Sequence, residues 1–167
     1  VAGIEAAVRD GMDVINLSIG EPEVEPSRDL VARALDAAAA AGVVPVVAAG
    51  NDFDEFGHGS VSSPGTSDKA ITVAAVTMPN GSGSSLASFS ASGPTPLSLR
   101  LKPDVSAPGV SILSSVPGSR WASMSGTSMA SPHIAGAAAL LLERHPSWPV
   151  ATVKAALIGS GSDVAVD

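Results

Sequence analysis

The sequence has no cysteine and no tyrosine, and only 3% of its residues are aromatic. Without cysteine the chain can form no disulfide, no thiol nucleophile and no zinc–thiolate site. Positive charge is also scarce, with 9 Lys and Arg against 16 Asp and Glu. Phosphate binding depends on clustered Lys and Arg, and no apolar run reaches the roughly 20 residues of a membrane span. We therefore expect neither a nucleic-acid partner nor a membrane partner.

Small residues take the place of the missing aromatics. Alanine, serine, glycine and proline together account for about half of the chain. Hydrophobic residues still make up 45% of it and charged residues only 15%, which excludes an intrinsically disordered chain. The 167 residues are enough for one domain with a substantial core. The chain has no secretory signal pattern at its start. Because it also starts without methionine, we expect residues 1–167 to be a piece of a longer chain.

Apolar periodicity predicts alternating helices and strands. Ser27 is a candidate N-cap for one helix, and the run from Val43 to Ala48 is apolar on both faces, as in a parallel sheet that helices cover. The predicted helices are 1–10, 27–41, 128–143 and 149–157, the predicted strands 13–20, 43–48, 70–76 and 111–115, and the main loops 50–69 and 77–85. This alternation predicts an α/β fold, a parallel sheet with helices on both faces in three layers.

The segment from Ser125 to His133 is the most informative part of the sequence. It places Ser128, after a Gly-Thr pair, at the start of a predicted helix that is apolar on all sides and therefore expected to be buried. A helix N-terminus offers free N–H groups and a positive dipole end. A serine held there suits a nucleophile whose oxyanion must be stabilised at once. An ordinary N-cap serine would give the same pattern, and the Gly-x-Ser-x-Gly pattern of lipases is excluded by Ala130.

Residues 126–136 (GTSMASPHIAG) resemble the catalytic-serine signature of the subtilisin-like serine proteases, the subtilases. Three further segments resemble that family in the family's own order. They are 13–20 (DVINLSIG), like its substrate-binding strand, 46–51 (VVAAGN), like its oxyanion strand, and 102–109 (KPDVSAPG), like the segment before its serine. The resemblance covers roughly residues 1–160. It implies a subtilisin-like fold that is incomplete at its N-terminal side, lacking the segment with the catalytic Asp and His.

The resemblance implies a role for each matching site residue. Ser128 would be the nucleophile that forms an acyl-enzyme, and the Asn51 side chain would donate to the oxyanion beside the Ser128 N–H. The end of the substrate-binding strand 13–20 would pair with an extended peptide. Small residues would form the wall and the base of the pocket that holds the substrate side chain before the scissile bond. The residues expected to bind substrate are Ser18, Ile19, Gly20, Ala49, Gly50 and Ser62. Turn residues and plain strand ends would give the same letters without these roles.

The base and its orienting carboxylate are missing from the recognised motifs. In the family they stand on an Asp-Thr/Ser-Gly motif and a His-Gly-Thr-His helix ahead of the substrate strand, and neither occurs here. His133 is expected to be a buried structural residue, and His58 and His145 are expected at the surface. We predict a serine endopeptidase in the parent protein and no enzyme-like activity in the isolated chain. The expected partners are a protein or peptide substrate, the missing N-terminal half and, through a bare sheet edge, a second copy.

No cofactor follows from the sequence. Asp52, Asp54 and Gly57 begin like an EF-hand loop, but the twelfth position is Ser63 instead of glutamate. The resemblance makes calcium compatible with the fold without giving any ligands, and it implies a secreted bacterial protein. Two alternatives stay open: a non-catalytic peptide-binding or assembly module, and another serine hydrolase such as an esterase.

Overall fold

The chain has the predicted α/β architecture. A computed structural model describes residues 1–25, 27–78 and 84–165, so the predicted loop 77–85 lies partly outside the described residues. The helices are α1 (Ala2–Arg9), α2 (Leu30–Ala40), α3 (Phe53–Phe56), α4 (Thr127–Arg144) and α5 (Val150–Gly159). The strands are β1 (Val14–Leu17), β2 (Val44–Ala48), β3 (Ile71–Thr77), β4 (Ser85–Leu86), β5 (Val105–Pro108), β6 (Ile112–Val116) and β7 (Arg120–Met124). None of the helices in these ranges is long and apolar enough to cross a membrane.

Four parallel strands form the main sheet in the order β1, β2, β3, β5. The register places Val14 opposite Val44 and Val46 opposite Ile71. The short β4 adds an antiparallel pair to the end of β3, and β6 and β7 form a separate antiparallel hairpin. Within the described part of the chain β1 pairs only with β2, so its outer edge is open.

Helices cover both faces of this sheet. Alternate residues of a strand point to opposite sides, so neighbouring residues of β2 pack against different helices. Val44 and Val46 face α4 and α5, whereas Val47 faces α1 and α2. The contacting helix residues are Ala130, Ile134, Ala138, Val150 and Val153 on the first face, and Ile4, Leu35 and Ala38 on the second. Alanines at the contact let α4 lie close to the sheet, which explains much of the unusual composition.

The start of α2 differs from the prediction, because Asp29 and not Ser27 caps the helix. Asp29 Oδ1 accepts hydrogen bonds from the N–H groups of Val31 (3.0 Å) and Ala32 (2.8 Å). Its other oxygen accepts from the buried Ser63 hydroxyl. The helix therefore begins at residue 30. The predicted loop 50–69 also contains α3, and β5 and the β6–β7 hairpin give order to the stretch before α4.

The prediction that α4 is buried on every side is wrong. Its exposed residues recur three and four positions apart and form a continuous line, which we call the α4 stripe: Pro132, His133, Gly136, Ala139, Leu140, Glu143 and Arg144. Leu140 alone is 67% exposed. The apolar composition of α4 therefore reflects one face packed on the sheet and a second, mainly apolar face in solvent.

Candidate active site

The candidate nucleophile Ser128 lies at the N-terminus of α4, beside the carboxyl end of β1. Its Oγ donates a hydrogen bond to Ser18 O at 3.3 Å, and Ser18 Oγ donates to Ser128 O at 2.9 Å. β1 ends at Leu17, which makes it shorter than the predicted strand. Ser18, Ile19 and Gly20 therefore continue beyond the sheet as an extended segment next to the nucleophile.

Asn51 follows β2 and is held against the same helix end by Thr127. The Thr127 N–H and the Thr127 hydroxyl both donate to Asn51 Oδ1, at 2.8 and 3.0 Å. The Thr127 hydroxyl accepts in turn from the Gly50 N–H at 3.2 Å, and Thr127 is fully buried. Because Asn51 Oδ1 is turned toward Thr127, the Nδ2 group of the same carboxamide is turned away from it. Sequence reasoning missed Thr127, although its place directly before Ser128 marks it as a candidate.

A cavity of about 680 Å³ opens beside these groups. Its lining includes most of the residues predicted from the sequence, namely Ser18, Ile19, Gly20, Gly50, Asn51, Ser62 and Ser128. The structure thus brings together residues that are more than one hundred positions apart. The cavity lies at the carboxyl ends of the parallel strands, where ligands bind in open α/β sheets.

Ser62 and two glycines form one side of this cavity at very close approach. Ser62 is 6% exposed, and its Oγ donates to Ala49 O at 3.2 Å. A Cβ atom would stand 2.6 Å from Ser62 Oγ if placed on Gly20, and 2.8 Å from it if placed on Gly50. Gly50 also has φ +113°, a conformation that L side chains rarely adopt. The wall therefore requires small residues at both positions.

The lining differs from the prediction at Ala49. This residue is fully buried and packs with Val61 and Ala91, whereas Ala48 lines the cavity. Neighbouring residues of an extended segment point to opposite sides, so Ala48 and Ala49 cannot both face the same space. The backbone of Ala49 still supports the site, because its N–H donates to Val73 O at 3.0 Å and its carbonyl accepts from Ser62.

The three histidines make no hydrogen bond to Ser128. His133 is exposed on the α4 stripe, contrary to the expectation of a buried residue, and its Nδ1 lies 2.9 Å from Met129 O. His58 is exposed, as predicted, and pairs with Ser92. His145 is half-buried and stacks on Trp148 with ring centroids 4.0 Å apart. In this structure the candidate nucleophile Ser128 is therefore not hydrogen-bonded to a histidine.

The acidic segment that begins like an EF-hand loop forms a short helix instead. Asp52 and Asp54 lie at the start of α3, and residue 53 already belongs to that helix, so this segment does not form an EF-hand loop. Within residues 1–25, 27–78 and 84–165 no three His, Asp or Glu side chains come together in a way that could hold a metal ion.

A buried ion-pair cluster lies at the opposite, amino ends of the strands. Lys102 Nζ contacts Asp104 Oδ2 at 2.6 Å, and Lys154 Nζ contacts Asp104 Oδ1 at 3.0 Å. Both lysines donate to Ala70 O, and the Thr72 N–H donates to Asp104. Burial lowers the pKa of Lys102 to about 8, against the opposing attraction of Asp104. The cluster joins β3, β5 and α5, so this part of segment 102–109 supports the fold at a distance from the cavity.

Known proteins resemble this chain along most of its length. The model of the subtilase family matches residues 1–166. The chain is 41% identical over 154 residues to Subtilisin of Bacillus pumilus, which covers 92% of this chain and 51% of that protein. It is 38% identical over 164 residues to Subtilisin DY of Bacillus licheniformis, covering 98% of this chain and 55% of that protein.

Two solved structures are similar over almost all of the chain. The S41 psychrophilic protease has a TM-score of 0.82 and 33% identity, covering 98% of this chain and 56% of that one. A cold adapted subtilisin-like serine proteinase has a TM-score of 0.79 and 28% identity, covering 97% and 54%. The chain thus spans about half the length of these relatives. Because the family model matches residues 1–166, the chain belongs to the subtilase family.

Proposed function

We propose that the parent protein is a serine endopeptidase that cleaves peptide bonds through an acyl-enzyme on Ser128. The observation that carries this proposal is the position of Ser128 and Asn51, which line one cavity and are linked through Thr127. Membership of the subtilase family supports it as well. No cofactor takes part in the reaction as proposed.

The two groups divide the chemistry of acyl transfer between them. Ser128 Oγ attacks the peptide carbonyl, and the resulting oxyanion accepts hydrogen bonds from the Ser128 N–H and from Asn51 Nδ2. The N-terminus of α4 adds a favourable dipole at the same place. Collapse of the intermediate expels the amine, which takes up the proton that the base had removed from the Ser128 hydroxyl, and water then hydrolyses the ester on Ser128.

The proton of the Ser128 hydroxyl needs a base that this chain does not place beside it. That hydroxyl donates to Ser18 O here. We assign the base to a histidine, oriented by an aspartate, in another segment of the parent protein. The chain spans only about half of its structural relatives, which is consistent with such a segment.

The substrate is an extended peptide that adds as a strand beside Ser18, Ile19 and Gly20. Its N–H groups would compete with the Ser128 hydroxyl for Ser18 O, which would free the hydroxyl for its base. The side chain before the scissile bond then enters the cavity against Ser62 and Gly50.

The missing segment has two places to pack, the open edge of β1 and the α4 stripe. Both leave hydrogen-bonding or apolar groups in solvent. We therefore propose that the isolated chain is inactive and self-associates, and that the N-terminal half of the domain covers these surfaces in the parent protein. By analogy with relatives from Bacillus species, we propose that the parent is a secreted bacterial protein.

The test uses the full-length parent protein and the isolated chain, each with a fluorogenic peptide and a serine-reactive fluorophosphonate. The parent should cleave the peptide and label at Ser128, and Ser128→Ala should abolish both. Ser160→Ala, at an exposed serine after α5, is the matched control and should behave as wild type. Peptide turnover by the isolated chain that disappears in Ser128→Ala would refute an external base.

One observation favours a second candidate, a non-catalytic peptide-binding module. Ser128 has no histidine partner in the structure, and a parent that had also lost its base would bind peptides without cleaving them. A parent protein that binds the peptide but shows neither turnover nor labelling would establish this alternative.

A further inference from the structure

Pro132 interrupts the hydrogen-bond ladder of α4 at the nucleophile itself. In an α-helix the N–H of residue 132 would donate to the carbonyl of residue 128. Proline has no N–H, so the helix cannot supply this donor to Ser128 O. The backbone of the candidate nucleophile therefore depends on a donor from elsewhere.

The Ser18 hydroxyl supplies that donor. It approaches Ser128 O at 2.9 Å from the segment after β1, 110 residues earlier in the chain. This side-chain bond is separate from the role proposed for Ser18 above, which uses only its backbone. Ser18 thus ties the substrate-binding segment directly to the residue that attacks the substrate.

Two further side chains fix the direction of this bond. Ser131, which is fully buried, donates to Asn16 Oδ1 at 2.6 Å. Asn16 Nδ2 then donates to Ser18 Oγ at 3.1 Å. A hydroxyl has a single proton, and because Ser18 Oγ accepts from Asn16 its proton is free to point at Ser128 O. The three residues form a one-way relay from Ser131 through Asn16 and Ser18 to Ser128.

We propose that Ser18 is a positioning residue for Ser128 and that Asn16, held by Ser131, sets the direction of its hydroxyl. The relay replaces the helix bond that Pro132 removes. It fixes the peptide plane between Ser128 and Met129, directly after the residue whose side chain is the proposed nucleophile. The consequence for catalysis rests on the proposed endopeptidase function, whereas the geometry of the relay does not.

The kinetic test uses the full-length parent protein and a peptide substrate. Ser18→Ala should lower kcat about fivefold to tenfold, the value of one neutral hydrogen bond, with KM changed less than about twofold. Ser18→Thr keeps the hydroxyl and should restore most of the activity. A loss that appears only in KM, or no loss in Ser18→Ala, would overturn the proposal.

Asn16→Asp tests the direction of the relay without changing its shape. A carboxylate only accepts, so it would take the Ser18 proton away from Ser128 O. This variant should lose as much kcat as Ser18→Ala, and the double variant should lose no more than either one. Additive losses would show two independent structural effects and would contradict the relay.

Pro132→Ala gives the sharpest cycle, because it returns an N–H to the helix. In that background Ser18→Ala should change kcat less than about twofold. If Ser18→Ala still lowered kcat fivefold to tenfold in the Pro132→Ala background, Ser18 would act on something other than the Ser128 carbonyl. That result would contradict the inference.

A crystal structure of Asn16→Asp separates this inference from the proposed function. The distance from Ser18 Oγ to Ser128 O should increase to more than about 3.5 Å, the outer limit of a hydrogen bond. This result is expected whether or not the protein cleaves peptides. An unchanged distance would overturn the relay. A wild-type protein without peptidase activity would refute the proposed function alone, since the distance still decides the relay. Ser160→Ala is the control for both measurements.

Discussion

Ser62 lies close to both Gly20 and Gly50, and the two glycines are predicted to respond differently to replacement by alanine. Alanine at Gly20 would place its Cβ 2.6 Å from Ser62 Oγ, and its other neighbours, Ser62 Cβ and Ser63 O, lie at 3.4 Å and beyond. Alanine at Gly50 would meet the same Oγ at 2.8 Å and also Ala91 Cβ at 3.3 Å, on a backbone with φ +113°. Only the first clash depends solely on the serine hydroxyl.

The magnitudes follow from what must move. In Gly20→Ala the hydroxyl either rotates and loses its bond to Ala49 O, which costs about 0.5–1.5 kcal/mol, or the wall shifts, which costs about 1–3 kcal/mol. We therefore expect a loss of about 0.5–3 kcal/mol in the free energy of unfolding. Ser62→Ala removes the clashing atom, so Gly20→Ala in that background should cost less than about 0.5 kcal/mol.

Gly50→Ala should behave differently because its backbone conformation adds about 1–2 kcal/mol that Ser62 does not control. We expect a loss of about 1.5–5 kcal/mol alone and of more than about 1 kcal/mol in the Ser62→Ala background. Urea unfolding of the full-length protein, with each glycine variant in both backgrounds, measures the two couplings. Equal rescue of both glycine variants by Ser62→Ala, or rescue of neither, would refute the reasoning.

Three further predictions test the cap, the oxyanion donor and the buried lysine. Asp29→Ala should lower the free energy of unfolding, measured with urea, by about 1–2 kcal/mol because α2 loses its N-cap. Asp29→Asn keeps a capping oxygen and should retain most of the wild-type stability. Thr127→Val should lower kcat on a peptide by about tenfold with little change in KM, because the Asn51 carboxamide loses one of the two hydrogen bonds that hold it. Thr127→Ser keeps the hydroxyl and should restore kcat. An unchanged kcat in Thr127→Val would contradict this role. Burial lowers the pKa of Lys102 from 10.5 to about 8. Between pH 8 and pH 10.5 the unfolded chain therefore binds more protons than the folded chain, so the contribution of Lys102 to the free energy of unfolding rises with pH over this range. Urea midpoints over that range should rise less in Lys102→Met than in wild type, and parallel curves would contradict the assignment.

Much of the candidate site could be predicted because it depends on short contiguous motifs. The helix N-terminus at Ser128 and the strand end at Asn51 are both local features, and parallel strands bring their carboxyl ends to one edge of the sheet. The apolar run of β2 likewise predicted a strand covered on both faces, which the two cores confirm. Local pattern and chain topology together are enough to place these elements.

Other features could not be predicted because they depend on contacts between distant residues. Asp29, not Ser27, caps α2, and its second oxygen accepts from Ser63, which lies 34 positions further along the chain. The exposure of the α4 stripe depends on which elements surround the helix, and no periodicity in an all-apolar segment reveals that. The side on which Ala49 faces depends on the exact residue where β2 leaves the sheet.

The relay at Ser18 belongs to the same class, although the sequence holds a signal for it. A proline four residues after a candidate nucleophile in a helix always leaves that residue's carbonyl without its helix donor. The donor must then come from another element, and a short hydroxyl at the end of a neighbouring strand is the simplest source. Pro132 and Ser18 could have been paired on this argument, whereas Asn16 and Ser131 could not, because only the structure shows which groups lie within reach.

The contacts that shape the binding side of the site all join residues of this chain. Thr127 orients Asn51, Ser18 holds Ser128, and Ser62 packs against the two glycines of the cavity wall. None of these contacts involves a histidine. The position of Asn51 and the shape of the cavity are therefore organised without any histidine of this chain. It follows that loss of the base should abolish turnover while leaving peptide binding intact, so affinity for peptides alone cannot distinguish a protease from a binding module.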